Sequence, residues 1–167
     1  MGYRTAILFL AFTLLAVGCD SSGDDSSDDS CMSATVDGER FSVDQCDAGY
    51  QTRFTNIGTL SLTGGTFTED GEGIKLLIYT ADRVDRGDTG TYVTTGRGIT
   101  AEIATTYYTD RGFGANNNFL APEGEGTITI ESYTEDQITG SFEFEGVAND
   151  GTAVSVTDGS FDIATPD

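Results

Sequence analysis

Carboxylates are the most abundant chemistry-bearing groups in this sequence: 28 Asp plus Glu stand against 8 Lys plus Arg, and there is no His. Without imidazole, a Ser-His-Asp triad, a Cys-His pair and a histidine zinc site are all excluded. Two acids alone suffice for glycoside hydrolysis when they sit about 5–10 Å apart, and Glu143 and Glu145 share one side of a strand pattern. They alternate with Phe142 and Phe144, however, and the wet face of a half-buried strand is where glutamates sit by default. No catalytic residue is assigned. Asp82, Asp85 and Asp88 crowd one loop and could ligate calcium through oxygen. Arg83 and Arg86 lie among them and the spacing is not that of an EF-hand, so a solvated, self-paired loop is expected and no metal site or cofactor is assigned. The third candidate is residues 109–126, the longest stretch without a strand pattern, which carries Arg111, Phe113, Asn116, Asn117, Asn118 and Phe119. Long loops are often functional, and amide and aromatic side chains can meet sugar hydroxyls or a protein partner. The competing expectation is that Phe113 and Phe119 merely cover an open sheet end.

The net charge of −20 bears on partners as well as on chemistry. Nucleic-acid binding needs a basic stripe that neutralises phosphates, and an acidic balance of this size repels a polyanion. The 167 residues suit one domain, and 37% apolar residues with 7 Tyr and 10 Phe can build a core.

From Cys31 onward, alternation broken by Gly, Asn and Asp predicts an all-β domain with no sustained helical period. Asp37-Gly38 forms a two-residue type I′ loop that sets Ala34 opposite Phe41 and Met32 opposite Val43, with Met32, Ala34, Val36, Phe41 and Val43 on one face. In that register Cys46 is the diagonal neighbour of Cys31, within reach of a disulfide. Asp158-Gly159 reads as a second two-residue hairpin, Val156 facing Phe161. A three-residue loop Asn149-Asp150-Gly151 sets Phe144 against Val156 and keeps the apolar residues on one side, whereas a two-residue loop puts Val154 opposite Val147 on the wrong one. With Ile128 and Ile130 inward, residues 126–163 form a four-stranded meander. Gly64-Gly65 is expected to kink or bulge its strand. The segment 74–80 is apolar on both parities and marks a strand covered on both faces. Ile99, Ala101, Ile103 and Tyr107 line one side of a long strand, and Tyr107 and Tyr108 point to opposite faces, so at most one lines a cavity. The total is about nine or ten strands in an antiparallel sandwich or a partly closed barrel.

The N-terminus is of another kind. Arg4 precedes an apolar run from Ala6 to Val17, too short to span a bilayer, as in a secretory signal peptide. Leu15-Ala16-Val17-Gly18-Cys19 resembles the lipobox of bacterial lipoproteins, with Ala16 where that motif usually has Leu. The resemblance implies cleavage after residue 18 and acylation of Cys19, which anchors the chain to a membrane without spanning it. Residues 20–30, DSSGDDSSDDS, contain no apolar group and read as a disordered tether of about 36–40 Å at full extension. The domain is then 31–167. With Cys19 acylated, Cys31 and Cys46 pair without remainder in an exported, oxidising setting. The segments 34–38, 90–92, 126–130, 139–142 and 157–161 are similar to those of a family of bacterial all-β envelope lipoproteins of undefined function, a resemblance that carries over no catalytic residue.

These readings predict a cell-envelope lipoprotein outside the cytoplasm, at the outer membrane or cell surface. Its β-scaffold presents loops to a glycan or an envelope protein, without enzymatic activity. The alternatives are a carrier with an apolar barrel cavity and, last, a carboxylate-based glycan hydrolase. The charge itself resembles adaptation to salt: the tether holds five acids, the domain 23 acids against seven bases, and only Lys75 is a lysine. Such a surface repels itself when unscreened. The melting temperature is expected to rise between about 0.1 and 1 M NaCl, as the screening length falls from about 10 to about 3 Å; a flat or falling profile removes the salt-adaptation reading.

Overall fold

The computed structural model describes residues 30–53, 57–65, 71–80, 84–97, 101–109 and 118–165. Eleven strands and no helix occur among them: β1 Met32–Val36, β2 Glu39–Val43, β3 Cys46–Arg53, β4 Ile57–Gly65, β5 Gly73–Thr80, β6 Gly90–Val93, β7 Ile103–Tyr108, β8 Asn118–Leu120, β9 Gly126–Tyr133, β10 Gln137–Val147 and β11 Ala153–Ala164. They form one antiparallel sheet in the order β2-β1-β11-β10-β8-β7-β5-β4-β3, nearly closed into a barrel, with β9 on β10 and β6 on β9.

The first hairpin follows its turn chemistry. Asp37 and Gly38 have φ of 49° and 84°, the two positive values a type I′ loop needs, and Ala34 pairs with Phe41 and Met32 with Val43. The β10–β11 junction turns through Gly151 at φ 89°, pairing Phe144 with Val156 and Gly146 with Val154. Strand β5 lies between β4 and β7. Its Ile74, Leu76 and Ile78 enter the main core, while Leu77 joins Ala101, Ala104 and Tyr79 in a second cluster on the outer side.

Two expectations are corrected. Asp158-Gly159 is not a hairpin: β11 runs unbroken through it, and Asp158 has φ 51°. Between Phe142 and Phe144 of β10, the partner strand advances from Gly159 to Val156, one residue more than β10 does. The same extra residue appears against β1, where Ser33 and Thr35 face Ser160 and Thr157. This is a β-bulge, which switches side-chain parity as a two-residue turn does. Val154 and Val156 before it, and Phe161 and Ile163 after it, therefore all face the core. The C-terminal meander is thus β9-β10-β11, three long strands. Secondly, Ala101 does not share the inward face with Ile103 and Tyr107; it precedes β7 and packs on the outer cluster. Ile99 lies outside the described residues.

Closure happens at a corner. Strands β2 and β3 are the two ends of the pairing order, yet only Asp44 and Gln45 separate them in the chain. Cys46 accordingly opens β3, opposite Gly64 of β4, rather than extending the first hairpin. Its disulfide to Cys31, with Cα atoms 6.0 Å apart, bridges the start of β1 to the start of β3. The Gly65 N–H donates to the Gln45 carbonyl at 3.1 Å, and the Cys31 N–H donates to that of Val43 at 2.9 Å. Gly64 is needed at this seam: a Cβ there would lie 2.8 Å from Met32 Sδ and 3.1 Å from Val43 Cγ2. The enclosed space is filled with side chains such as Met32, Leu62, Ile74, Ile128, Ile138 and Val156, all under 2% exposed. A bridge closing a loop of 15 residues stabilises by about 3 kcal/mol. Cys46→Ser is expected to lower the unfolding free energy by about that amount in urea titration; an unchanged midpoint contradicts the bridge's role at the seam.

Candidate functional site

A concavity among the described residues lies at one end of the barrel. There the β1–β2 turn, the last residues of β7, the start of β8 and the loop before β11 come together. Alternation along β7 turns Ile103, Thr105 and Tyr107 inward, and Tyr107 is the last of these. In the β7–β8 ladder Tyr107 pairs with Phe119, and their ring centroids stand 5.8 Å apart with planes tilted by 35°, a favourable aromatic contact. Beside them opens a pocket of about 370 Å³. Val36, Ala153 and Val154 supply apolar wall, and Asp37, Glu39, Thr109 and Thr152 supply polar groups.

Each rim group has a reason to be there. Asp37 occupies the positive-φ position of the hairpin turn, where its side chain reaches β11: Oδ1 accepts the Ser155 N–H at 2.8 Å, and the Asp37 N–H donates to the Ser155 carbonyl at 2.9 Å. Glu39 begins β2 on its exposed parity. Thr152 is oriented by its loop, since its N–H donates to Asp150 Oδ1 at 2.9 Å. The Tyr107 hydroxyl donates to Glu72 Oε1 at 2.8 Å. Burial, then the hydrogen bond to Glu72, then the charges of Glu72, Asp37 and Glu39 all push the Tyr107 phenol well above its ordinary range. Three carboxylates therefore act on one buried ring at this end of the molecule.

Of the binding residues expected in 109–126, Asn118 and Phe119 open β8, and Phe119 lines the pocket. Arg111, Phe113, Asn116 and Asn117 lie outside the described residues, as does Cys19. The three-residue strand β8 is too short to show alternation, which is why this stretch reads as loop from sequence. Tyr107 and Tyr108 do diverge, and Tyr107 is the one at the pocket. Asp37 and Glu39 reach the site through the pairing of β1 with β11, a long-range contact with no local sequence signal.

The other carboxylate groupings are arranged differently. Glu143 and Glu145, with Glu125, border a groove of about 250 Å³ formed by β9, β10 and β11, where Ser155 Oγ donates to Glu145 Oε1 at 2.6 Å. All three are exposed and lack the apolar enclosure in which a glycosidase places its general acid. In the turn after Val84, Asp88 Oδ2 accepts the Asp85 N–H at 2.8 Å, so that carboxylate caps its own loop; Asp82 and Arg83 lie outside the described residues.

The raised Tyr107 phenol carries a pH signature. A tyrosine in the unfolded chain loses its proton near pH 10, whereas folded Tyr107 keeps it to higher pH. Above about pH 10 the unfolded state thus binds fewer protons, and stability falls as pH rises. Tyr107→Phe is expected to cost about 1 kcal/mol at pH 8, through the lost hydrogen bond to Glu72, and to converge on the parent protein by about pH 11; urea midpoints that stay parallel across this range refute the assignment.

No curated protein and no solved structure matches the chain significantly. Its matching family model covers residues 28–163, and the chain belongs to that family, described as a domain of unknown function, DUF6252.

Proposed function

We propose that this chain is a lipid-anchored protein of the cell envelope, held outside the cytoplasm through Cys19, and that it binds a small ligand in the pocket at the end of its barrel without transforming it. The aromatic-floored pocket carries the reading. Its volume of about 370 Å³ lies within the range of small-molecule sites, about 300–1,000 Å³, and it combines apolar walls with a few polar groups. The barrel interior is filled by core side chains, so the open end, not an internal cavity, is where a ligand fits.

The anchor rests on the residues before the domain. Leu15-Ala16-Val17-Gly18-Cys19 supplies an acylation site, and the polar run 20–30 supplies a spacer that lifts the domain off the head groups. The Cys31–Cys46 disulfide is consistent with an oxidising compartment. Acid-rich composition with a single lysine fits a protein kept hydrated in salt, at the outer membrane or the cell surface.

Two measurements test the two halves. Cys19→Ser in the producing cell is expected to move the protein from the membrane pellet to the soluble fraction; retention in the pellet refutes the anchor. Ligand-observed NMR of the full chain in detergent, against a set of envelope oligosaccharides and small amines, is expected to give binders that are lost in Phe119→Ala. The absence of any Phe119-dependent binder refutes the pocket.

A further inference from the structure

We propose that the barrel-end pocket recognises a small organic cation, an alkylammonium group held between the carboxylates of Asp37 and Glu39 and the rings of Tyr107 and Phe119. This assignment rests on the pocket being a binding site and names what it takes.

Three features of the pocket converge on that chemistry. Its two rings are adjacent, 5.8 Å between centroids, and aromatic rings attract a cation whose centre comes within about 6 Å. Two carboxylates share the lining with them, and no Lys or Arg is among the described residues that line it. The remaining wall, Val36, Ala153 and Val154, is aliphatic and accommodates the carbon skeleton of an amine. A monovalent organic cation uses all three; other ligands leave one unused.

A neutral sugar is the nearest rival, because aromatic rings and carboxylates also serve sugars. At this pocket, however, two of the directional groups are already engaged: the Tyr107 hydroxyl donates to Glu72, and Asp37 Oδ1 accepts from Ser155. A neutral ligand would also cover two carboxylates without supplying counter-charge, which carries a desolvation penalty. A divalent metal is disfavoured on different grounds. Calcium takes six to eight oxygen ligands, and among the described residues no group of three or more acids converges as a metal cage. An anionic ligand faces the local carboxylates directly. The long-range field agrees, since the acid excess of the domain draws cations toward the mouth.

The test is isothermal titration of the full chain in detergent at low salt with four probes: choline, n-butylammonium, the neutral choline isostere 3,3-dimethylbutan-1-ol, and a neutral disaccharide. The two cations are expected to bind about tenfold or more tightly than the isostere. Glu39→Gln, at an exposed position where folding is not at stake, is expected to weaken choline about two- to fivefold and leave the isostere unchanged. Phe119→Leu is expected to weaken choline about two- to tenfold. Equal affinity for choline and its isostere, or no response to Glu39→Gln, overturns the cation assignment. Phe119-dependent binding of the disaccharide with no binding of either cation also overturns it, while the pocket stands as a site. If no probe binds and no envelope oligosaccharide does either, both the assignment and the pocket fall.

Discussion

A two-residue corner governs this fold. Asp44 and Gln45 carry the backbone from β2 to β3, the two outermost strands of the pairing order, so the sheet must curl until its edges meet. A corner by itself leaves those edges free to splay and expose unpaired N–H and C=O groups, which invite association with other chains. The Cys31–Cys46 bridge removes that freedom by tying the first strand to the third. The curl also makes the interior possible. Met32 on β1 comes within contact of Gly64 on β4, and only the missing Cβ at that glycine lets the two walls approach so closely. The same curvature creates the pocket, whose lining is drawn from β1, β2 and the start of β11 together with β7 and β8.

Local turn chemistry and alternation were sufficient to read much of this fold. The Asp37-Gly38 hairpin, the choice of a three-residue loop at Gly151 and the two-sided burial of β5 follow from φ preferences and apolar parity, both properties of a few neighbouring residues. The bulge at Asp158 shows where such reasoning becomes degenerate. A two-residue turn and a one-residue bulge both tolerate Asp-Gly at positive φ, and both return the next apolar residues to the same face. Parity on one strand cannot separate them. What separates them is the partner: β1 and β10 each run straight past the bulge on either side of β11, and a hairpin at Asp158 would leave one of those ladders without a mate. The disulfide illustrates a related point. Cys31 and Cys46 are within reach of each other in a simple extension of the first hairpin and also across the corner, so their pairing was legible while its architectural meaning, closure of the barrel, was not.

The site was only partly legible, for a physical reason. Phe119 stood out because it lies in a long segment without a strand pattern, and Tyr107 because alternation forces it away from Tyr108. Asp37 and Glu39 gave no such sign: in the sequence they are one residue of a turn and one exposed position on a strand, the commonest settings for acids. They become site residues through the β1–β11 ladder, which joins parts of the chain at least 120 residues apart. Carboxylates in an acid-rich chain are uninformative one by one, and Glu143 and Glu145, the pair most suggestive in sequence, lie on the solvated outer side of β10.

The two acids of the pocket are bound to the fold to different degrees, and this shapes what can vary at the site. Asp37 serves three purposes at once. It adopts the positive φ of the turn, it holds β11 through Ser155, and it lines the pocket. A change there disturbs hairpin, ladder and site together, so its carboxylate is a constant of the scaffold. Glu39 has no such duties; it begins an edge strand with its side chain in water. Its charge can be removed, reversed or lengthened at little expense to folding, since substitutions at exposed positions are usually small in effect. The chemistry of the pocket's rim can therefore change at Glu39, and at Thr109 and Thr152 beside it, while Asp37, Tyr107 and Phe119 keep the pocket's shape. The division follows from geometry: the residues that close the barrel end are also its floor, and only the rim is independent of them.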